Sequence, residues 1–330
     1  MTQNQTKKEA LFNEVKGSLF EYLVAREIAI LGNEELSFQK SLDANYLNVL
    51  SQQDRMVRQF YPEMLPFLVD ASKLTAQHII NYFNEIPTAP KVVGKFSNSS
   101  ISSELHEADM LLSLRDVTCP VSLKINKKNA FVNTKSGGVK SFFSQYFPFL
   151  DSGIQREFNK FIDLEYNRLA VELHDLHGMD YPGHFNLWIS RGLSELPGEL
   201  DPDSRKILKS YYSRIAEKMH SILGPALKAH FELFKDALPS LLGFGSENIL
   251  QVIYFHTFPL NKNPMIDIHS HQDVLSQLDK ALLRPFGFVS SFEFEIGEWI
   301  LQIRVKPMNK FTTTAIKINC SVKVRRSILS

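Results

Sequence analysis

Seven consecutive residues, Pro120-Val-Ser-Leu-Lys-Ile-Asn126, alternate strictly between apolar and polar. A period of two belongs to a strand, so Val121, Leu123 and Ile125 share one face and Ser122, Lys124 and Asn126 the other. The first face is core, and the second is a row of small polar groups around one lysine. Ala108–Leu114 also reads as a strand, and Arg115-Asp-Val-Thr-Cys119 joins the two. A hairpin centred between Asp116 and Val117 sets Asp109 opposite Lys124 and Leu111 opposite Ser122. Facing residues have Cβ atoms about 4.5–5.5 Å apart, so a carboxylate and an ammonium meet on one face with main-chain carbonyls nearby.

That pairing has a chemical use. A carboxylate and a carbonyl oxygen are hard ligands suited to Mg²⁺. A bound divalent ion acidifies water and offsets charge on a phosphate, and an ammonium stabilises negative charge that develops beside it. The same spacing also makes an ordinary surface ion pair, and by itself it does not separate the two.

The rest of the chain reads as helices, a small sheet, more helices and a β-rich end. Leu11, Phe12, Val15, Leu19, Leu23 and Ile30 recur at threes and fours, which predicts a helix over 9–31, with Gly17 marking the close approach of another backbone. Further helices are expected at about 40–60 and 70–84, interrupted by Pro62 and Pro66. Pro87 and Pro90 open a loose segment that runs through the serine-rich 97–103. A third short strand spans Ala130–Thr134, Lys135-Ser-Gly-Gly138 is a turn, and a helix begins within 139–146. Helices follow over 154–177 and 203–240, with irregular chain between them. Strands are expected at Phe288–Phe294, Trp299–Lys306 and Thr312–Val324. The class is α+β: a small mixed sheet flanked by helices, then a β-rich C-terminal part. The expected division is 1–150, helices plus a catalytic core, and 151–330, a helical insertion plus a basic β-rich part, or a single domain of both.

Charge is unevenly spread. The net charge is only +1, yet Val117–Leu150 holds five lysines and Trp299–Ser330 seven basic residues, with no Asp or Glu in either stretch. Segregation of that kind can build a local positive surface on a near-neutral protein. Gln302, Arg304 and Lys306 alternate with Leu301, Ile303 and Val305, and Asn309, Lys310 and Lys317 follow. Such groups neutralise phosphates and can reach base edges; the plainer reading is a solvated strand face. No apolar run approaches the roughly 18–20 residues that span a bilayer, the polar N-terminus lacks a signal core, and two cysteines build no disulfide framework. A reducing cytosol is the simplest compartment.

Three stretches together resemble the PD-(D/E)XK nucleases, and within them the type II restriction endonucleases. Lys16-Gly-Ser-Leu-Phe-Glu-Tyr-Leu-Val-Ala25 is similar to the first helix of that family, where Glu21 matches an acid. Glu107-Ala-Asp-Met-Leu-Leu112 is similar to the strand that opens with the metal-binding Asp, here Asp109. Val121-Ser-Leu-Lys-Ile-Asn126 is similar to the (D/E)XK strand, with Lys124 as its lysine. The matches cover about a third of the chain. One position departs from the pattern: the acid two residues before the lysine is Ser122. Glu21 supplying the missing charge, Ser122 holding a metal-bound water, and an inactive site all stay open.

The resemblance implies a restriction-endonuclease-like core and Mg²⁺-dependent, sequence-specific cleavage of double-stranded DNA. Asp109, Glu21 and the carbonyl of Leu123 would hold the metal, Lys124 would assist the attacking water, and Ser122 would sit behind them. It further implies a homodimer in a bacterial cytoplasm, no membrane, and a DNA methyltransferase as functional partner. Expected DNA contacts are Asn126, Lys135, Ser136, Arg304, Lys306, Asn309, Lys310 and Lys317. Lys135-Ser-Gly-Gly138 ahead of a helix could offer backbone N–H groups to a phosphate. A non-catalytic DNA-binding protein on a degenerate nuclease fold is the alternative. A weaker third is a hydrolase using His174, His177 and His184 or His269 and His271; neither group matches HExxH or a zinc-finger spacing, and loop or helix-surface histidine is the plainer reading.

Overall fold

The computed structural model describes residues 3–93, 108–115, 117–245, 249–257, 264–307 and 309–325, with no side chains described before Val15. The chain is α+β. In order, its elements are α1 (Gln3–Leu31), α2 (Glu35–Ser41), α3 (Ala44–Phe60), α4 (Met64–Phe83), β1 (Thr88–Val92), β2 (Met110–Leu114), β3 (Val117–Lys127), β4 (Val132–Gly138), α5 (Phe142–Tyr146), α6 (Ser152–Leu176), α7 (Asn186–Ser190), α8 (Pro202–Ala229), α9 (Phe231–Leu242), β5 (Leu250–His256), β6 (Met265–Ser270), α10 (His271–Leu275), β7 (Ala281–Leu283), β8 (Ser291–Ile296), β9 (Trp299–Pro307) and β10 (Ile316–Val324). No helix among the described residues is long and apolar enough to cross a membrane.

Contacts divide the chain into two units, each made of two segments: Thr2–Ala130 with Gly243–Val274, and Phe131–Leu242 with Leu275–Ser330. The sequence suggested a cut near 150 instead. It gave no sign of β5 and β6, which return late in the chain to complete the sheet that β3 begins.

The first unit holds a mixed five-stranded sheet in the order β1-β2-β3-β5-β6. β5 runs parallel to β3, and the other neighbours are antiparallel. Val121, Leu123 and Ile125 face inward as their alternation requires, beside Leu250, Val252 and Tyr254 of β5. The apolar stripe of α1 (Val15, Leu19, Val24, Ile28) and Phe67, Leu68 and Ala71 of α4 belong to the same core. Emptying one such position, as in Leu123→Ala, typically removes about 2–5 kcal/mol of stability. Asp43 caps α3 by accepting from the amides of Asn45 and Tyr46. Pro66 does not interrupt: it lies in the first turn of α4, where its missing N–H costs no helical bond. Pro90 lies within β1, on the sheet edge where a strand can forgo a donor. Residues 97–103 fall outside the described set.

The second unit holds an antiparallel five-stranded sheet, β4-β10-β9-β8-β7, with Phe292, Phe294, Leu301, Ile303, Ile318 and Val322 buried along it. Two expectations change here. Lys135-Ser-Gly-Gly138 is no turn but the second half of β4, in register with Lys317–Cys320. The helix expected over 203–240 is two helices, parted at His230.

Candidate active site

The hairpin closes more tightly than its sequence suggests. Leu114 faces Val117 and Met110 faces Val121, so only residues 115 and 116 form the loop. The register is displaced by two residues from the expected one, which brings Leu111 opposite Pro120 rather than Ser122. Arg115 takes a left-handed φ of +52°, a conformation that two-residue hairpin loops demand and that arginine does not advertise. Because the error is an even number, every side chain stays on its expected face.

Asp109, just ahead of β2, therefore reaches Lys124 along a diagonal. Lys124 Nζ donates to Asp109 Oδ2 at 3.0 Å. The same oxygen accepts the backbone N–H of Leu123 at 2.7 Å and the hydroxyl of Ser122 at 3.3 Å. Three neighbours on one strand thus fix one oxygen of one carboxylate, while Oδ1 accepts no bond among the described residues. The N–H and C=O of a strand residue leave on the same side, so the Leu123 carbonyl also faces the Asp109 side. Ser122, 3% exposed, stands where the nuclease pattern this strand resembles has an acid, and donates to Asp109.

Glu21 comes to this group from α1. Its carboxylate folds back along the helix, with Oε1 3.8 Å from where a Cβ on Gly17 would lie. Among the described residues Gly17 meets no foreign backbone, contrary to expectation, and leaves room for Glu21. Burial works to lower the pKa of Lys124, but the charges of Asp109 and Glu21 and the Asp109 hydrogen bond outweigh it and leave it raised. The lysine is thus held as a cation by its contact with Asp109 and by the charge of Glu21, able to stabilise negative charge and no base at neutral pH.

Sequence reading missed Tyr46. It is 5% exposed on α3, and its hydroxyl has no hydrogen-bond partner among the described residues. Burial first, then the charges of Glu21, Tyr22 and Asp109, raise its pKa far above the usual phenol range. A phenol that senses both acids belongs to the same small group, but no motif marks a lone tyrosine on an amphipathic helix.

Two carboxylates and a carbonyl make an all-oxygen donor set, which Mg²⁺ accepts when waters complete its shell, and the retained ammonium stands beside it. The unbonded Oδ1 of Asp109 is the observation that favours the fit. Among the described residues there is no group of three His, Cys, Asp or Glu able to hold a metal. His174, expected on a loop or helix surface, is fully buried: Nδ1 lies 2.7 Å from the Ala170 carbonyl and the ring packs on Tyr181, Phe185 and Trp188. His177 pairs with Ser204 at 3.0 Å, and His184 is exposed.

The expected DNA contacts divide. Asn126 shares the face of Lys124, and its Oδ1 accepts from the Lys127 amide at 3.0 Å. In the other unit, Lys317 faces Lys306 and Asn319 faces Arg304 across β10 and β9, while Ser136 on β4 faces Asn319 and bonds it at 3.1 Å. Burial and the charges of Lys317 and Arg304 lower the pKa of Lys306, as expected of crowded cations. None of these three is ion-paired among the described residues. Lys135 alternates to the opposite, inner face, in register with buried Cys320. Lys310 is spent on Glu195, and Asn309 is exposed beside it. Gln302 turns to Glu293 at 3.2 Å, at an end of the face where Arg284 and Arg325 pair with Glu293 and Glu295. Acids distant in sequence therefore neutralise part of the run and leave Arg304, Lys306 and Lys317 as its basic end. Family models, curated proteins and solved structures yield no match to this chain, so the site stands on its own geometry.

Proposed function

We propose that the chain is a Mg²⁺-dependent endonuclease acting on double-stranded DNA, in the manner of the type II restriction enzymes it resembles. One observation carries the reading: Lys124, Ser122 and the Leu123 amide converge on a single oxygen of Asp109, with Glu21 near enough to act on the same lysine. In it, Asp109, Glu21 and the Leu123 carbonyl hold the ion. The ion supplies an acidified water and charge neutralisation at the phosphate. Lys124, fixed on the polar face of β3, stays protonated and stabilises negative charge growing on the phosphoryl oxygens. Ser122 holds Asp109 in place. The cluster of Arg304, Lys306 and Lys317 serves the DNA backbone, and sequence preference, a homodimer and a protecting methyltransferase follow from the resemblance alone.

Digestion of a sequenced plasmid with Mg²⁺, with the ends mapped, tests this. Asp109→Ala and Lys124→Ala should each lower the cleavage rate by about 10²–10³, the usual loss for one group that stabilises developing charge. Mg²⁺-dependent cleavage that survives both substitutions removes the hairpin from the mechanism.

Ser122 favours a second reading, a DNA-binding protein on a nuclease scaffold that has lost its chemistry. It is distinguished by duplex binding that weakens steeply with salt while the unaltered protein leaves the plasmid intact at every Mg²⁺ concentration.

A further inference from the structure

The inward face of the first sheet ends in charge. Val121, Leu123 and Ile125 continue to Lys127, and Leu250, Val252 and Tyr254 continue to His256, its register partner on β5. His256 is 5% exposed, stands edge-on to Phe67 of α4 at 5.3 Å, and neither ring nitrogen has a well-formed hydrogen bond. Lys16 of α1, half-buried, and exposed Lys127 both act on it. Burial, then Lys16 and Lys127, push the imidazole down to about 4, with only the Thr257 backbone pulling the other way. Lys16 is itself lowered by burial and by Lys127. Among the described residues no carboxylate forms an ion pair with any of the three, and the charge of Asp70 on α4 bears on Tyr254 rather than on His256.

Two ammonium groups beside a buried, neutral imidazole, with no counter-charge paired to them among the described residues, are unfavourable unless something anionic joins them. We propose that Lys16, Lys127 and His256 form a binding site for a phosphate oxyanion. Lys127 is exposed, Lys16 half-buried and His256 buried, with Lys127 and His256 paired in register across β3 and β5. A tetrahedral oxyanion accepts several donors at once, as this arrangement requires. Lys16 lies five residues from Glu21, about 7.5 Å along the axis of α1. The identity of the ligand rests on the nuclease reading: the site takes a backbone phosphodiester of the same nucleic acid whose cleavage is assigned to Asp109 and Lys124.

The test follows the imidazole resonances of the full chain labelled with ¹⁵N-histidine, using inorganic phosphate, then a short duplex in EDTA, with chloride at matched ionic strength as reference. The His256 signal is assigned from His256→Gln. Phosphate and duplex should each move it and chloride should not. Lys127→Gln, a change at an exposed position, should weaken phosphate binding about tenfold or more, the loss of one charge-assisted hydrogen bond. A His256 signal indifferent to phosphate, or equal affinity in Lys127→Gln, overturns the site. A response to phosphate with none to the duplex keeps the oxyanion site and overturns its assignment to nucleic acid. Asp109→Ala should leave the phosphate titration unchanged, so this inference and the nuclease reading fail separately.

Discussion

At Asp109 one carboxylate oxygen is saturated with donors and the other is not, and that asymmetry decides what a substitution nearby will do. Ser122→Asp introduces the acid of the nuclease pattern that this strand resembles but sets it, nearly buried, against Asp109. Without metal it should destabilise the protein by about 1–3 kcal/mol, the cost of a donor lost and a charge left unpaired. Mg²⁺ should then raise its melting temperature more than that of the parent, and equal shifts would argue against a metal here. Tyr46→Phe removes a hydroxyl with no partner to lose, so stability should change by less than about 1 kcal/mol. A fall in cleavage with an unchanged melting temperature would place the phenol in the reaction. The raised pKa of Lys124 has a definite sign: its contribution is complete below the unfolded lysine value and fades only as pH climbs past the folded one. The cleavage rate should therefore show no lysine break between pH 6 and about 10. His256 works the other way. Its folded pKa near 4 lies below the free value of 6.5, so the unfolded chain binds the proton first and stability falls as pH drops through that window. His256→Leu should flatten the slope in chemical denaturation across it.

At the scale of elements, β3 was legible because alternation is a local property that burial on one face enforces. The register was not. Loop length sets it, and the positive φ at Arg115 falls on a residue that carries no turn signal. Arg115→Asn, which accepts that conformation more readily, should raise stability by about 0.5 kcal/mol. Its exposed pair with Glu85, at 3.4 Å, is worth little, and a lower melting temperature would show that estimate to be reversed. β5 escaped notice for the opposite reason. All seven of its residues are buried, so no alternation survives to be read. In the same way the sequence showed the basic C-terminal run but not Glu195, which reaches Lys310 from more than a hundred residues away. Candidate ligands could be read from types and spacing, whereas the phenol of Tyr46 and the trio at Lys16, Lys127 and His256 exist only once helices meet the sheet.

At the scale of the whole molecule, each unit has a core of its own and one buried cysteine within it: Cys119 in the first, Cys320 in the second. Burial pushes the thiols up to about 11 and about 12 respectively, so both are inert unless the surrounding sheet opens. Pulsed thiol labelling then reports the opening of each unit separately. Cys320, 1% exposed, should label more slowly than Cys119, 9% exposed. Equal rates would mean that the two sheets open together.

The parallel strand beside β3 also has a consequence for synthesis. About 120 residues lie between β3 and β5, so a ribosome working at roughly 5–20 residues per second needs some 6–25 s to deliver the second after the first. Throughout that interval the nascent hairpin has an open edge, prone to pairing with whatever strand it meets, and the platform behind Lys124 is incomplete. The site proposed at Asp109 and Lys124 thus lacks its supporting strand until β5 has emerged.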